Sequence, residues 1–278
     1  ADGDNRRFLA SNQSMRSGEW NARDDAGESG VAGVRSVLGR YLAVLSAFDP
    51  TTTLMTLAQL TTRTGLPKTT VHRLCGELVT EGLLERDESG TYALGIRLFE
   101  LGELVPRHRT LSSVALPIME DLREATRQRV HLAVLDGVDV VYVEILGSTA
   151  ADVASRVGGR FPAHATGVGK VMLAYSSAAI VKARIDAGLP AITQRTIATP
   201  DGLIGELRKI RSVGMALDLG ESHLGIACVA APVFGANRRI RAGLSITGPA
   251  TAIDPGVLGP AVRTAAFTLS RALRDAGL

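Results

Sequence analysis

The sequence predicts an α+β protein with an N-terminal winged helix-turn-helix domain and a C-terminal domain built on an antiparallel sheet. Residues 56–94 have the pattern of two amphipathic helices joined by a glycine turn and followed by a hairpin. Beyond about residue 110, hairpin patterns mix with helical ones, without the regular strand–helix alternation typical of a parallel sheet. A chain of 278 residues is long enough for two domains with separate cores.

We expect four segments along the chain. Residues 1–30 are polar and glycine-bearing and cannot bury enough apolar surface to fold alone. They are a disordered native tail, an arm that orders on DNA, or a remnant of cloning. Residues 31–95 should form the winged domain, residues 96–110 a linker helix, and residues 111–278 the sheet domain.

The winged domain should begin with three helices. The first ends at Asp49-Pro50, and its apolar stripe consists of Val34, Val37, Leu38, Leu42 and Leu45. In the second, Leu57 and Leu60 share a face, and Gly65 supplies the left-handed turn that ends it. Pro67 lies where the third helix would begin, at a position that tolerates its missing N–H. The buried face of the third helix is predicted to contain Val71, Leu74, Cys75 and Leu78.

The opposite face of the third helix is polar and cationic, which indicates DNA binding. The predicted DNA-contacting residues are Lys68, Thr69, Thr70, His72 and Arg73. The alternative is an ordinary solvated face, which Glu77 and Glu81 favour over the last turns. These acidic residues fit DNA binding only if the first half of the helix enters the groove. Leu83–Arg86 and Thr91–Leu94 flank the turn residues Asp87–Gly90, as expected of a wing.

The linker helix is indicated by apolar residues at helical spacing, Leu98, Leu101 and Val105, before Pro106. Its apolar side either pairs with a second copy or packs on its own domain. Pro117 should then open an amphipathic helix with the apolar positions Ile118, Met119, Leu122 and Ala125. Val130–Leu135 and Val138–Leu146 flank Asp136-Gly137, a strong hairpin signal.

A ligand site is indicated where the sequence reads SRVGGRFPAHATGVGK. Thr166 can cap a helix whose first turn contains Gly167, Val168, Gly169 and Lys170. A helix start with small residues exposes N–H groups and favours an anionic ligand, and a carboxylate is the natural choice. The alternative is that the glycines only let the helix pack closely on the sheet. Neither a nucleotide fingerprint nor a phosphate loop is present in the sequence.

A second polar cluster is expected where the sequence reads DLGESHLGIACVAAPVF. Cys228 lies inside its buried strand, where a thiol is more often a small apolar side chain than a nucleophile. In the following strand, Ser245 and Thr247 are two residues apart and therefore point to the same face.

Composition narrows the class of protein. A net charge of +3 is too mild for a protein that coats nucleic acid, so specific affinity should come from a local patch used more than once. Cys75 and Cys228, the only two cysteines, give little support to a disulfide. No apolar run reaches the length of a membrane span and no signal peptide is evident, so we expect a cytoplasmic protein. No cofactor is predicted, and the histidines lack the spacing of metal ligands: His108, His131, His164 and His223.

Four segments carry a family resemblance: RTGLPKTTVHRL and YALG in the winged domain, followed by SRVGGRFPAHATGVGK and GESHLGIACVAAPV. With them, the chain resembles the IclR family of bacterial transcriptional regulators. The resemblance runs from about Val31 to about Leu273. It implies a GAF-like effector domain, with an antiparallel sheet flanked by helices, in a homodimer or dimer of dimers. It also implies an effector held between the sheet and the glycine-bearing helix start.

Carried onto matching positions, the resemblance implies an effector site formed by Phe161, Gly167, Val168, Asp218, Cys228, Ser245 and Thr247. Ala150 and Val153 match more weakly, as loop positions that would set the pocket size. The chain departs from the family in SVLGRYLAVL, where an extra residue blurs the register of the first helix, and at Val168, where a smaller alanine or a leucine is often seen. The departure at Val168 leaves the identity of the effector open.

The leading hypothesis is therefore a transcription factor that binds operator DNA and senses a small organic acid, as repressor or activator. A rival from another class is a thiol enzyme with Cys228 as nucleophile, His164 or His223 as base and Asp218 as orienting group. A third is a ligand-binding scaffold whose winged domain contacts protein.

Overall fold

The computed structural model describes residues 36–147 and 155–278. The described chain forms two compact units that divide between Thr110 and Leu111. Within the described residues, no helix is long and apolar enough to cross a membrane.

The N-terminal unit contains three helices, a wing of two strands and a short helix after the wing. Its elements are α1 (Val37–Leu45), α2 (Leu57–Thr64), α3 (Lys68–Thr80), β1 (Leu84–Arg86), β2 (Tyr92–Leu94) and α4 (Arg97–Glu103). The strands β1 and β2 pair antiparallel, and Met55 bridges to Tyr92 on the outer side of β2. A single apolar core joins the helices to the wing, with Val44, Met55, Leu60, Val71, Leu74, Cys75, Leu78, Leu84 and Tyr92 buried.

The helix-turn-helix follows its sequence signals closely. The side chain of Thr56 caps α2 in a capping box with Gln59, and Gly65 ends the helix in the left-handed conformation at φ 65°. The predicted buried face of α3 is confirmed in all four positions. Pro67 is the N-cap of α3, one residue before the expected position, which is within the usual uncertainty of helix boundaries.

The predicted first helix is present, but most of its apolar stripe is exposed. Ser36 caps α1, whose only buried residue is Val44. Val37 and Leu38, by contrast, are 66% and 67% exposed, and Leu42 is also exposed. Helix α1 contacts the core of the N-terminal unit through the turn around Val44. Val34 lies outside the described residues.

The predicted linker helix 96–110 is two helices, and the prediction of one was wrong. Helix α4 ends at Glu103, and α5 runs from Pro106 to Thr126. Pro106 was expected to end a helix but begins one, because the first turn does not need the N–H that proline lacks. Pro117 was expected to open a helix but lies inside α5, where it removes one backbone hydrogen bond. Neither proline was assigned correctly from periodicity.

The C-terminal unit contains a six-stranded antiparallel sheet. Its further elements are β3 (Arg129–Asp136), β4 (Asp139–Leu146), β5 (Arg160–Pro162), α6 (Gly167–Ala174), α7 (Ala178–Asp186), α8 (Pro200–Val213), β6 (Ala216–Leu219), β7 (Ile226–Phe234), β8 (Ile240–Pro249) and α9 (Pro255–Asp275). The strand order is β5-β4-β3-β8-β7-β6. In the first hairpin Asp136 pairs with Asp139, so the tight turn is Gly137-Val138, one residue later than predicted.

The two faces of this sheet carry separate cores. One face packs against α5 and α9 through a large aliphatic cluster that includes Met119, Val229 and Leu269. The other face packs against α6, which in turn contacts α8, through a smaller cluster that includes Val168 and Leu207. The predicted α+β architecture, with a winged helix-turn-helix before an antiparallel-sheet domain, is confirmed.

Candidate functional site

The polar face of α3 is open to solvent, as a DNA-contacting surface requires. Lys68, Thr69, His72 and Arg73 are exposed and Thr70 is half-buried. The guanidinium of Arg73 pairs with the carboxylate of Glu77 one turn later, at 2.6 Å. Glu77 also accepts a hydrogen bond from the hydroxyl of Tyr41 on α1.

The wing beside α3 is a tight hairpin with an ordered tip. The carboxylate of Asp87 accepts hydrogen bonds from the Ser89 hydroxyl at 2.6 Å and the Thr91 N–H at 2.8 Å. Behind the tip, the guanidinium of Arg86 lies 5.5 Å from the ring centroid of Tyr92. The wing therefore presents both signs of charge.

A cavity lies in the C-terminal unit between the sheet and the start of α6. The space open to the centre of a water molecule is about 40 Å³, and the empty volume is about 450 Å³ when open solvent at the mouth is included. All seven residues predicted to contact an effector line it: Phe161, Gly167, Val168, Asp218, Cys228, Ser245 and Thr247. Ala150 and Val153 lie outside the described residues.

Two rows of paired residues cross the sheet at this cavity. One row contains Arg129, Thr247, Cys228 and Asp218. The next row contains His131, Ser245, Ala230 and Ala216. Directly paired residues of an antiparallel sheet point to the same side. The cavity floor therefore combines hydroxyl, imidazole and thiol groups from β3, β7 and β8.

The start of α6 covers this floor closely. A Cβ atom on Gly167 would lie 2.9 Å from Sγ of Cys228, and one on Gly169 would lie 2.1 Å from the carbonyl oxygen of Ala163. Close packing alone thus requires both glycines. The Thr166 hydroxyl caps the Gly169 N–H at 3.0 Å. The N–H groups of Gly167 and Val168, the first two of the helix, have no acceptor among the described residues and border the cavity.

Asp218 holds the loop between β6 and β7 that forms one wall. Its Oδ1 accepts hydrogen bonds from the N–H groups of Glu221 at 2.7 Å and Ser222 at 3.4 Å, and its Oδ2 accepts from the Ser222 hydroxyl at 2.6 Å. Burial raises the pKa of Asp218, against those hydrogen bonds and the nearby Lys170. The hydrogen bonds of Asp218 therefore order the loop that forms this wall.

A buried ion pair behind the same wall was missed by sequence reasoning. Lys170 on α6 is fully buried, and its ammonium group contacts the carboxylate of Glu221 and lies 3.7 Å from that of Glu206. Burial raises the pKa of Glu221 to about 7, although Lys170 lowers it. The two partners are separated by 51 positions, so no local spacing signals the pair.

His131 and Tyr142 also line the cavity and were not predicted to do so. Their rings meet edge to face, with centroids 5.4 Å apart. Burial and the charge of Arg129 lower the pKa of His131 to about 3, so its imidazole is neutral at physiological pH. The remaining unpredicted lining residues are Ser155, Thr166, Ser222, His223 and Ile226.

Among the described residues, no hydrogen bond joins Cys228 to His164 or His223, as the rival thiol triad would require. Burial and the nearby Asp218 raise the pKa of Cys228 to about 12, which leaves the thiol protonated. Nε2 of His164 lies 3.0 Å from the carbonyl oxygen of Pro190, and Nδ1 of His223 lies 2.8 Å from that of Leu224. Cys75 is a core residue of the winged domain, where burial raises its pKa to about 11. No metal-binding group of three or more His, Cys, Asp or Glu side chains occurs within residues 36–147 and 155–278.

Both units of the chain match models of one protein family. Residues 105–271 match the model of the bacterial transcriptional regulator IclR C-terminal domain, and residues 37–88 match the IclR helix-turn-helix domain. The HTH-type transcriptional regulator XynR of Escherichia coli is 34% identical over 84% of this chain and 95% of its own length. The transcriptional repressor IclR of E. coli is 31% identical over 78% of this chain and 81% of its own length.

Among solved structures, an IclR homologue from Microbacterium hydrocarbonoxydans complexed with 4-hydroxybenzoate superposes with a TM-score of 0.78. It is 30% identical, and the match covers 86% of this chain and all of the homologue.

Proposed function

The chain belongs to the IclR family of bacterial DNA-binding transcriptional regulators, and from this premise we propose that a small organic acid bound in the cavity controls its affinity for operator DNA. The observation that carries the proposal is the cavity itself, in which the N–H groups at the start of α6, buried hydroxyls and the apolar wall of Phe161 converge. A site of this kind suits a small molecule with an apolar body and a polar head. The 4-hydroxybenzoate complex of the homologue supports a carboxylate as the effector class.

Operator contacts are assigned to the polar face of the first half of α3. The contacting residues are Lys68, Thr69, Thr70, His72 and Arg73. Effector contacts are assigned to the seven predicted residues of the cavity. The effector must bind two arrangements of the DNA-binding units with different affinity, because only a differential affinity can shift their equilibrium. A bacterial regulator of this kind acts in the cytoplasm.

We expect the protein to form a homodimer or a dimer of dimers, because a mildly basic winged domain needs more than one copy for specific affinity. Exposed apolar side chains on and beside α4 support a role in association: Ile96, Phe99, Leu101, Leu104 and Val105. Light scattering at micromolar concentration should give at least twice the monomer mass. Replacing Phe99 and Leu101 by serine should lower that mass, whereas a strictly monomeric wild type would contradict the assignment.

Replacing Ser245 by alanine should weaken effector binding without weakening the fold. The hydroxyl of Ser245 is buried at the cavity, and its polar neighbour is the thiol of Cys228, a weak hydrogen-bonding group. Its removal costs the fold at most a weak contact with a thiol, while a ligand loses a hydrogen bond worth about 0.5–1.5 kcal/mol, or roughly 2- to 13-fold in affinity. Thermal-shift titrations with 4-hydroxybenzoate and a panel of other small carboxylates measure the loss.

Ser112→Ala is the matched control, because its hydroxyl is also buried, with no hydrogen-bond partner among the described residues, but lies on α5 and not at the cavity. It should bind effector like the wild type. Equal effector affinity for Ser245→Ala and Ser112→Ala would place the effector elsewhere.

A further inference from the structure

Three side chains connect α1 with the polar face of α3. The hydroxyl of Tyr41 on α1 donates a hydrogen bond to Oε2 of Glu77, and Nη1 of Arg73 donates to Oε1 of the same carboxylate at 2.6 Å. The ring of Tyr41 packs against the apolar core of the winged domain, which fixes the position of its hydroxyl. Glu77 is therefore anchored from α1 and holds Arg73 by one nitrogen of its guanidinium.

Stability alone does not explain this arrangement. The side chains of Arg73 and Glu77 are 57% and 44% exposed, and pairs this exposed contribute little to folding. Their order along the helix is also the weaker one, because a carboxylate one turn before its cation suits the helix dipole better than one turn after it. In addition, the carboxylate places negative charge beside a surface that approaches phosphates, which opposes the binding of random DNA. The arrangement is better explained by what it does to Arg73.

The contact with Glu77 leaves one edge of the Arg73 guanidinium for the operator. A guanidinium can donate two parallel hydrogen bonds from Nη1 and Nη2 or from Nε and Nη2. Only the second pair is independent of the nitrogen that Glu77 holds. In the major groove, guanine presents two neighbouring acceptors, N7 and O6, that match such a pair. A guanidinium already held in place also loses less side-chain freedom when it binds the base.

We propose that Tyr41 and Glu77 are positioning residues that hold Arg73 for one guanine of the operator, whose N7 and O6 accept from Nε and Nη2. This inference rests on the proposed operator contacts of α3 and deepens them, since it names the base and the edge of the side chain that reads it. The carboxylate of Glu77 repels a phosphate but not a neutral base. Glu77 therefore favours the operator over random DNA.

The test uses an operator selected from random DNA, in which each guanine is replaced in turn by 7-deazaguanine. This base keeps its pairing but lacks the N7 acceptor. Fluorescence anisotropy measures the affinity of the full chain for each duplex and for random DNA. At the guanine read by Arg73, the wild type should bind the substituted operator roughly tenfold more weakly, as expected for a lost hydrogen bond to a charged group. Arg73→Ala should bind both operators equally.

Two variants test the positioning residues separately. Glu77→Ala removes the carboxylate, whereas Tyr41→Phe removes only the hydroxyl and keeps the ring. Each should reduce the preference for guanine over 7-deazaguanine at this position by roughly two- to tenfold, the usual cost of ordering one long side chain. Glu77→Ala should also bind random DNA at least as tightly as the wild type, whereas a damaged domain would bind all DNA weakly.

Glu81→Ala is the matched control, because it removes an exposed carboxylate at the end of α3 that pairs with Arg97 and not with Arg73. It should keep the full preference for guanine.

The outcomes separate this inference from the proposed operator contacts. If Arg73→Ala binds the operator like the wild type, the proposed contact of Arg73 is wrong and the inference is wrong with it. If Arg73→Ala binds weakly but no 7-deazaguanine affects the wild type, the contact stands and the guanine assignment is overturned. If one guanine matters to the wild type, while Glu77→Ala and Tyr41→Phe keep the full preference for it, the positioning role is overturned.

Discussion

Replacement of Lys170 by methionine is expected to lower the free energy of unfolding by about 3–5 kcal/mol, the usual cost of leaving one member of a buried ion pair alone. Methionine fills the space of the lysine stem, so the loss reflects the charge. Without the ammonium group, Glu221 loses its ion pair and Glu206 loses its contact at 3.7 Å. Urea unfolding of the full chain measures the loss.

The pH dependence identifies Glu221 as the cause of this loss. The pKa of Glu221 is about 7 in the folded protein against an ordinary value of 4.5, and removal of Lys170 must raise it further. A carboxyl whose pKa is higher in the folded state stabilises the fold when protonated, and this stability is lost as pH rises through the folded pKa. The deficit of Lys170→Met should therefore be larger at about pH 8 than at about pH 5.

Lys182→Met is the matched control for this experiment. Lys182 pairs with Asp186 on α7, but the two side chains are 74% and 58% exposed. Exposed pairs at this spacing contribute only about 0.3–0.5 kcal/mol. Two results would show that the buried pair does not hold this wall. One is a Lys170→Met variant as stable as Lys182→Met; the other is a Lys170→Met variant that becomes less stable when the pH is lowered from about 8 to about 5.

Replacement of Arg73 by alanine should weaken operator binding by about 1–3 kcal/mol, if its guanidinium contacts a base edge with two hydrogen bonds. The loss should then be confined to particular operator positions. A phosphate contact would instead weaken operator and random DNA alike and reduce the salt dependence of binding. The Arg73–Glu77 pair is exposed, so its loss should cost little stability.

The double variant Lys68→Ala, Arg73→Ala tests the docking of α3 itself. Fluorescence anisotropy with an operator selected from random DNA measures the affinity, and Lys209→Ala, an exposed change on α8, is the control. The double variant should lose more affinity than Arg73→Ala alone. Wild-type affinity in the double variant would exclude the first half of α3 as the DNA-contacting surface.

The sequence predicted best where a residue's role depends on its near neighbours. The buried face of α3 repeats every three or four residues, and Gly65 must adopt a conformation that other residues avoid. The α+β architecture follows from the same local patterns. The seven cavity residues needed the family resemblance as well, because their strands are brought together only by the sheet order.

The sequence predicted poorly where distant contacts decide. The stripe on α1 gave no sign that Val37 and Leu38 are exposed, since periodicity does not reveal how much core is available. Pro117 is tolerated inside α5, against its local preference. Lys170 looks like an ordinary surface cation in the sequence, and only the fold shows that it is buried beside the carboxylate of Glu221.

The central claim is that a ligand in the cavity controls DNA binding, and one measurement tests it directly. A carboxylate shown to bind the wild type is added to the complex of the full chain with its selected operator, and the affinity is measured by anisotropy. The account predicts a change in operator affinity of several-fold for the wild type, and the same change only at higher ligand concentration for Ser245→Ala. An operator affinity that stays constant while the cavity is saturated with ligand would contradict it.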